Sequence, residues 1–173
     1  MNHANSFKLA LLGGCALLLG ACGENKEEAL TYESVEACVE AGIQDATACN
    51  KEFATAQARH KDVAPRYNEA RSCYSDFGYN RCERTRTSSG SFWLPFMVGY
   101  MIAPRGVSSV YTQPLYRPGN DANNFYTASN RRIGAVSKGG RALVPKSAIK
   151  QPQARTRTVA RGGFGARATS SGS

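Results

Sequence analysis

The chain has 173 residues, a formal net charge of +9, six cysteines and one tryptophan, a length that suits a single domain. Twelve of the thirteen acids lie between Glu24 and Glu83 against nine Lys and Arg from Lys26 to Arg86; from Ser88 onward one acid, Asp121, faces twelve Lys and Arg. The two halves therefore stand at −3 and +11, which excludes reading the net charge as one uniform positive surface.

Lys8 precedes an apolar run from Leu9 to Leu19, which ends in Leu19-Gly20-Ala21-Cys22. A basic start, a short apolar centre and a small-residue cleavage site describe a secretory signal, here residues 1–21, and the cysteine after the small pair adds a thiol for acylation. Spanning a bilayer needs about 20 apolar residues, more than this run holds. The rival box at Cys15 leaves only Leu9 to Leu11 as a centre, so Cys22 is the expected lipidation site. Gly23 follows it where aspartate would favour retention at the inner membrane. The expected location is the cell envelope, lipid-anchored on the periplasmic face of the outer membrane.

Residues 22–30 are charged and aperiodic and are expected to be a tether. Residues 31–84 are expected to be a small helical head. Ser34 suits an N-cap before a helix stopped by Gly42, Thr47 a cap for a second helix to about Ala64 ended by Pro65, and Asn68 a cap for a third closed by Gly78. The apolar stock of that head is thin, and so small a core needs staples. Four cysteines beyond the leader provide them: Cys38, Cys49, Cys73 and Cys82 read as two disulfides. Zinc is the weaker reading because no two of them are closely spaced. Tyr32 stands six residues before Cys38 as Tyr67 stands six before Cys73, a partial repeat that favours local pairing, Cys38 with Cys49 and Cys73 with Cys82.

Residues 85–104 begin as a polar linker and continue into Phe92-Trp93-Leu94-Pro95-Phe96-Met97-Val98-Gly99-Tyr100-Met101-Ile102-Ala103, the most hydrophobic stretch after the leader. It is expected to be a short helix that packs on the head or on another copy. Phe92, Trp93, Leu94, Phe96, Met97, Tyr100 and Met101 are its candidate docking residues, with a place in the lipid headgroup region as the sharper alternative. Residues 105–173 are rich in Gly, Ser, Thr, Pro and positive charge, a composition that does not offset ordering entropy by burial. A largely disordered basic tail is expected, with at most one β-hairpin, Phe125 to Thr127 against Ile133 to Val136. Val110 to Tyr116 alternates weakly and is broken by Pro114. The fold class expected for the whole is therefore mainly α.

Candidate chemistry is sparse. There is no Gly-x-Ser-x-Gly elbow and no phosphate-binding glycine loop. His60, the one histidine after the leader, lies among Arg59, Lys61 and Asp62 and is expected to be a solvated helix residue. No enzyme activity, metal or cofactor is expected. Lys146, Lys150, Arg155, Arg157, Arg161 and Arg167 form a cationic track ending in Arg161-Gly162-Gly163-Phe164-Gly165. In the cytosol that motif would suggest RNA; behind a secretory leader no nucleic acid is expected, and the partner is membrane lipid or an anionic envelope polymer. The alternative is an accessory subunit that docks a membrane or periplasmic protein through residues 92–103.

At Ser88 to Met101 and Thr158 to Gly165, with the Leu19-to-Cys22 box and the four cysteines, the chain resembles the YgiB-like family of bacterial envelope lipoproteins. The resemblance implies an envelope lipoprotein and names no substrate, catalytic residue or cofactor. Where it would extend a Met- and Gly-rich run, this chain has only Ile102-Ala103-Pro104 after Met101, which weighs against membrane contact by that segment.

Overall fold

A computed structural model describes residues 24–87, 90–104, 110–154, 158 and 163–165. Helix positions in the acidic half agree with expectation. Ser34 Oγ accepts from the Ala37 amide at 3.2 Å and caps α1 (Val35–Glu40), and Gly42 follows at φ +65°. Asp45, not Thr47, caps α2 (Ala46–Val63), accepting from the Ala48 amide at 2.7 Å. Asp45 lies three residues before that amide, the spacing a cap needs, and Thr47 lies one before it. The third helix, α3 (Ala70–Phe77), starts at Glu69 without a side-chain cap and stops at Gly78. Cys38 pairs with Cys49, joining α1 to α2, and Cys73 with Cys82, joining α3 to the strand that follows.

The fold class is otherwise. The described chain is mainly β, with eight strands against three helices. Residues 26–30, expected within a tether, belong to β1 (Lys26–Tyr32), which runs on into the first two residues of the expected head. The rest are β2 (Cys82–Thr87), β3 (Gly90–Pro95), β4 (Gly99–Pro104), β5 (Val110–Tyr116), β6 (Phe125–Thr127), β7 (Arg132–Gly134) and β8 (Arg141–Pro145). β2 and β3 form a separate antiparallel ribbon. The other six form one sheet in the order β7-β6-β5-β4-β1-β8, and its outer strands β7 and β8 approach each other, so that it curls into a nearly closed barrel.

Three packed regions follow from the alternation of side chains across each strand. Ala29, Met101, Ala103, Leu115, Phe125, Ile133 and Val144 fill the barrel. The opposite faces of β1 and β4 present Tyr32, Tyr100 and Ile102 to α1 and α2, where Phe53, Ala56 and the Cys38–Cys49 bridge cover them. A third cluster joins α3 and the ribbon to Tyr116, Tyr126 and Phe164. β4 is thus buried on both faces, which gives a continuous apolar run instead of an alternating one. That is why residues 92–103 read as a helix: they form β3, a short connector and β4.

Over residues 110–145 the expected disorder of the basic half fails for a related reason; residues 105–109, 155–157, 159–162 and 166–173 lie outside the described residues. Its strands are short, and each completes a face begun elsewhere; only in the assembled sheet do they bury anything. The 125–136 hairpin is present as β6 and β7, with Asn130 at φ +59° in its turn. Asp121, the lone acid, ties it down, accepting from Asn124 Nδ2 at 2.6 Å, Tyr126 Oη at 2.7 Å and Arg132 Nε at 3.2 Å. Those donors, Asn124 first, hold its carboxyl below the usual range. β5 runs through Pro114 without a break. β6 pairs with Leu115 and Tyr116, so among the described residues that side of β5 is an unpaired edge at Pro114, where proline is tolerated.

Candidate functional site

Of the six basic residues expected to contact an anionic partner, Lys146 and Lys150 lie in the structure; Arg155, Arg157, Arg161 and Arg167, like Cys22, fall outside the described residues. The two lysines share the turn that follows β8 at one mouth of the barrel. That turn is anchored on three sides. The Lys146 amide donates to the Asn25 carbonyl at 2.8 Å, the Ser147 amide to Glu24 Oε1 at 2.7 Å, and Gln113 Nε2, from β5, donates to the Ala148 carbonyl at 2.8 Å.

Lys146, Ile149, Lys150 and Gln151 enclose, with Pro104 and Tyr111, a cleft of about 330 Å³. Tyr111 is itself stacked: the Arg59 guanidinium of α2 lies 4.4 Å from its ring centroid. Two lysines therefore line the cleft, and a guanidinium stacks on the ring of its aromatic wall. Lys146 Nζ is 3.3 Å from Glu27 Oε1, on β1. Lys150 makes no ion pair within 4 Å among the described residues, and its field together with that of Arg131 adds to the Ser147 hydrogen bonds that lower the Glu24 carboxyl. Such an arrangement offers positive charge beside an apolar and aromatic surface, the chemistry that suits an anion with an apolar part.

The residues 92–103 are used differently from expectation. Leu94, Tyr100 and Met101 are buried in three separate clusters, Phe92, Trp93 and Met97 are half-buried, and Phe96 is 43% exposed. They do not form a continuous docking face. His60 is not solvated either. It is buried, its Nδ1 lies 3.0 Å from the Tyr116 hydroxyl, and burial followed by the charge of Lys61 pushes its pKa down to about 4. α2 turns that face toward β5, which the charged neighbours Arg59, Lys61 and Asp62 conceal in the sequence.

Among the described residues no group of three or more His, Cys, Asp or Glu is placed to hold a metal ion, and no helix is long and apolar enough to cross a membrane. Sequence reasoning missed Arg59, Tyr111 and Gln113. Their roles depend on β5 lying beside α2 and over the turn after β8, and the one available signal was the alternation of Tyr111, Gln113 and Leu115 on one face.

The profile described as "Protein of unknown function (DUF1190)" matches residues 26–173. A UPF0441 protein of Erwinia tasmaniensis is 33% identical over 192 residues, covering 95% of this chain and 86% of its own length. UPF0441 proteins of Klebsiella pneumoniae subsp. pneumoniae and Yersinia pestis are 31% and 30% identical, each covering 91% of this chain and 78% of their own. No solved structure matches. With nearly its whole described length covered by that profile and by these relatives, the chain belongs to the DUF1190/UPF0441 family of bacterial proteins.

Proposed function

We propose that this chain is a non-enzymatic, lipid-anchored protein of the cell envelope that holds an anionic envelope component at the barrel-mouth cleft. The observation that carries the reading is the meeting of Lys146 and Lys150 at one cleft with Tyr111, on whose ring Arg59 stacks. The Leu19-to-Cys22 box supports the anchor, and Gly23 supports the periplasmic face of the outer membrane. Acyl chains on Cys22 bind a bilayer by about 0.8 kcal/mol for each buried CH2, so several chains hold where one alone exchanges. Arg155, Arg157, Arg161 and Arg167 extend the same charge along the chain. The docking alternative is left with Phe96 as its most exposed residue.

Two measurements test this. Cys22→Ser should release the protein from the outer-membrane fraction or leave an uncleaved precursor at the inner membrane; unchanged fractionation refutes the anchor. Co-sedimentation with lipopolysaccharide should weaken steeply with ionic strength, since exposed charges are screened beyond about 10 Å at 0.1 M salt. It should weaken again in Lys146→Gln/Lys150→Gln. Binding that ignores both salt and the double substitution refutes the cleft.

A further inference from the structure

A second cleft, of about 230 Å³, is lined by Phe77, Arg81, Phe96, Val98 and Arg117. Its two arginines come from different parts of the chain, Arg81 from the turn between α3 and β2 and Arg117 from the end of β5. Arg117 is held in place before any ligand arrives. Its guanidinium lies 4.3 Å from the centroid of Phe125, one terminal nitrogen is 3.0 Å from Glu33 Oε1, and its Nε is out of water with no hydrogen-bond acceptor among the described residues. A buried N–H without an acceptor is a standing cost in a folded chain. Arg81 is exposed, and among the described residues no carboxylate lies within ion-pair distance of it.

The remaining walls are apolar. Phe77 is buried, Val98 is half-buried and Phe96 leaves 43% of its surface open. Two guanidinium groups and the one carboxylate of Glu33 leave the cleft short of negative charge, and the guanidinium fork matches a carboxylate better than an ammonium does. A bare ion would leave Phe77, Phe96 and Val98 uncovered; a neutral apolar molecule would leave the guanidinium donors unmatched.

We propose that this cleft binds an anionic amphiphile, a medium-chain carboxylate whose headgroup is taken by Arg81 and Arg117 and whose chain lies on Phe77, Phe96 and Val98. The site is separate from the lysine-rimmed barrel mouth and independent of what binds there. Calorimetric titration of the full chain with octanoate tests it, with octanol, acetate and dihexanoyl phosphatidylglycerol as comparators. Octanoate should bind saturably and more tightly than octanol or acetate, and Arg81→Gln should weaken it about tenfold, the loss of one charge-assisted contact. Arg117→Gln should weaken it further; because Arg117 also braces Glu33 and Phe125, that variant counts only with an unchanged circular dichroism spectrum, and Arg81→Gln decides the matter. Octanol binding as tightly as octanoate, absence of saturable octanoate binding, or an affinity unchanged by Arg81→Gln overturns the proposal. Preference for the phosphatidylglycerol over octanoate overturns the carboxylate and gives the cleft to a phospholipid headgroup.

Discussion

The ring of Phe164 lies 4.9 Å from that of Phe77, and the Phe164 amide donates at 3.2 Å to the buried Oδ2 of Asp76, the residue before Phe77 on α3. Tyr116 and Tyr126 close the cage, their ring centroids each 6.2 Å from Phe164. The next residue, Gly165, sits at φ +80° with its amide on Asn130 Oδ1 at 2.9 Å, and a Cβ there would fall 2.7 Å from Asn120 Oδ1. Phe164→Ala should therefore cost about 3 kcal/mol, the usual range for emptying an aromatic site in a core. Urea unfolding monitored by tyrosine fluorescence checks it, and a cost near zero would mean that the cage closes without its occupant.

His60 sets a pH dependence. Its ordinary pKa of about 6.5 drops to about 4 on folding, so between those values the unfolded chain binds the proton more readily. Stability from this group is fully present above about pH 6.5 and is lost as pH falls toward 4, on the order of 3 kcal/mol across the window. His60→Gln, which keeps a polar group opposite Tyr116, should flatten that part of the stability curve relative to the parent. Parallel curves for the two proteins between pH 6.5 and 4 would contradict the burial of a neutral imidazole.

Two buried tyrosines should respond in opposite directions to loss of the hydroxyl. Tyr100 Oη has no hydrogen-bond partner among the described residues, and burial, then Tyr32, Glu52 and Glu36, raises its pKa to about 12. Tyr67 Oη donates to Asp76 Oδ2 at 2.8 Å. Tyr100→Phe should leave the protein as stable or more stable by about 1 kcal/mol, whereas Tyr67→Phe should cost about 1–3 kcal/mol by removing the hydroxyl donor from a buried carboxylate. Thermal midpoints of the two variants, measured side by side, distinguish them.

The two disulfides belong to different clusters, Cys38–Cys49 beneath α1 and α2 and Cys73–Cys82 between α3 and β2. Replacing either pair by serine should cost about 2–3 kcal/mol, the range expected for loops of this size. With no shared partner, the losses should add in the fourfold variant. A fourfold loss much smaller than the sum would show that one bridge matters only while the other is intact.

What could be read from the residues was local. Ser34, Gly42, Pro65 and Gly78 mark helix ends through the chemistry of caps and breakers, which needs nothing from the rest of the chain, and the paired Tyr-to-Cys spacing pointed to short-range bridges. The hairpin of β6 and β7 has its turn residues within a few positions of its strands. The barrel was not legible, because β1 carries Lys26, Glu27 and Glu28 and β8 alternates Arg141 and Leu143, exposed, with Val144, buried. Neither resembles a strand until its partner is known. The same holds for the cleft: Lys146 and Lys150 were visible as charge, but Tyr111 and Arg59 join them only through the order of strands in the sheet.

That order has a kinetic side. β1 is the earliest strand in the chain and lies between β4 and β8, two strands made much later, so it waits with both edges open until Gly99–Pro104 and Arg141–Pro145 have arrived. Pairing over such separations is slow because loop closure must precede any gain in contacts. The bridges Cys38–Cys49 and Cys73–Cys82 close over short loops and need no strand of the barrel to form. Until those strands have paired, β1 has bare edges and an uncovered Tyr32 face, and is open to pairing with another chain.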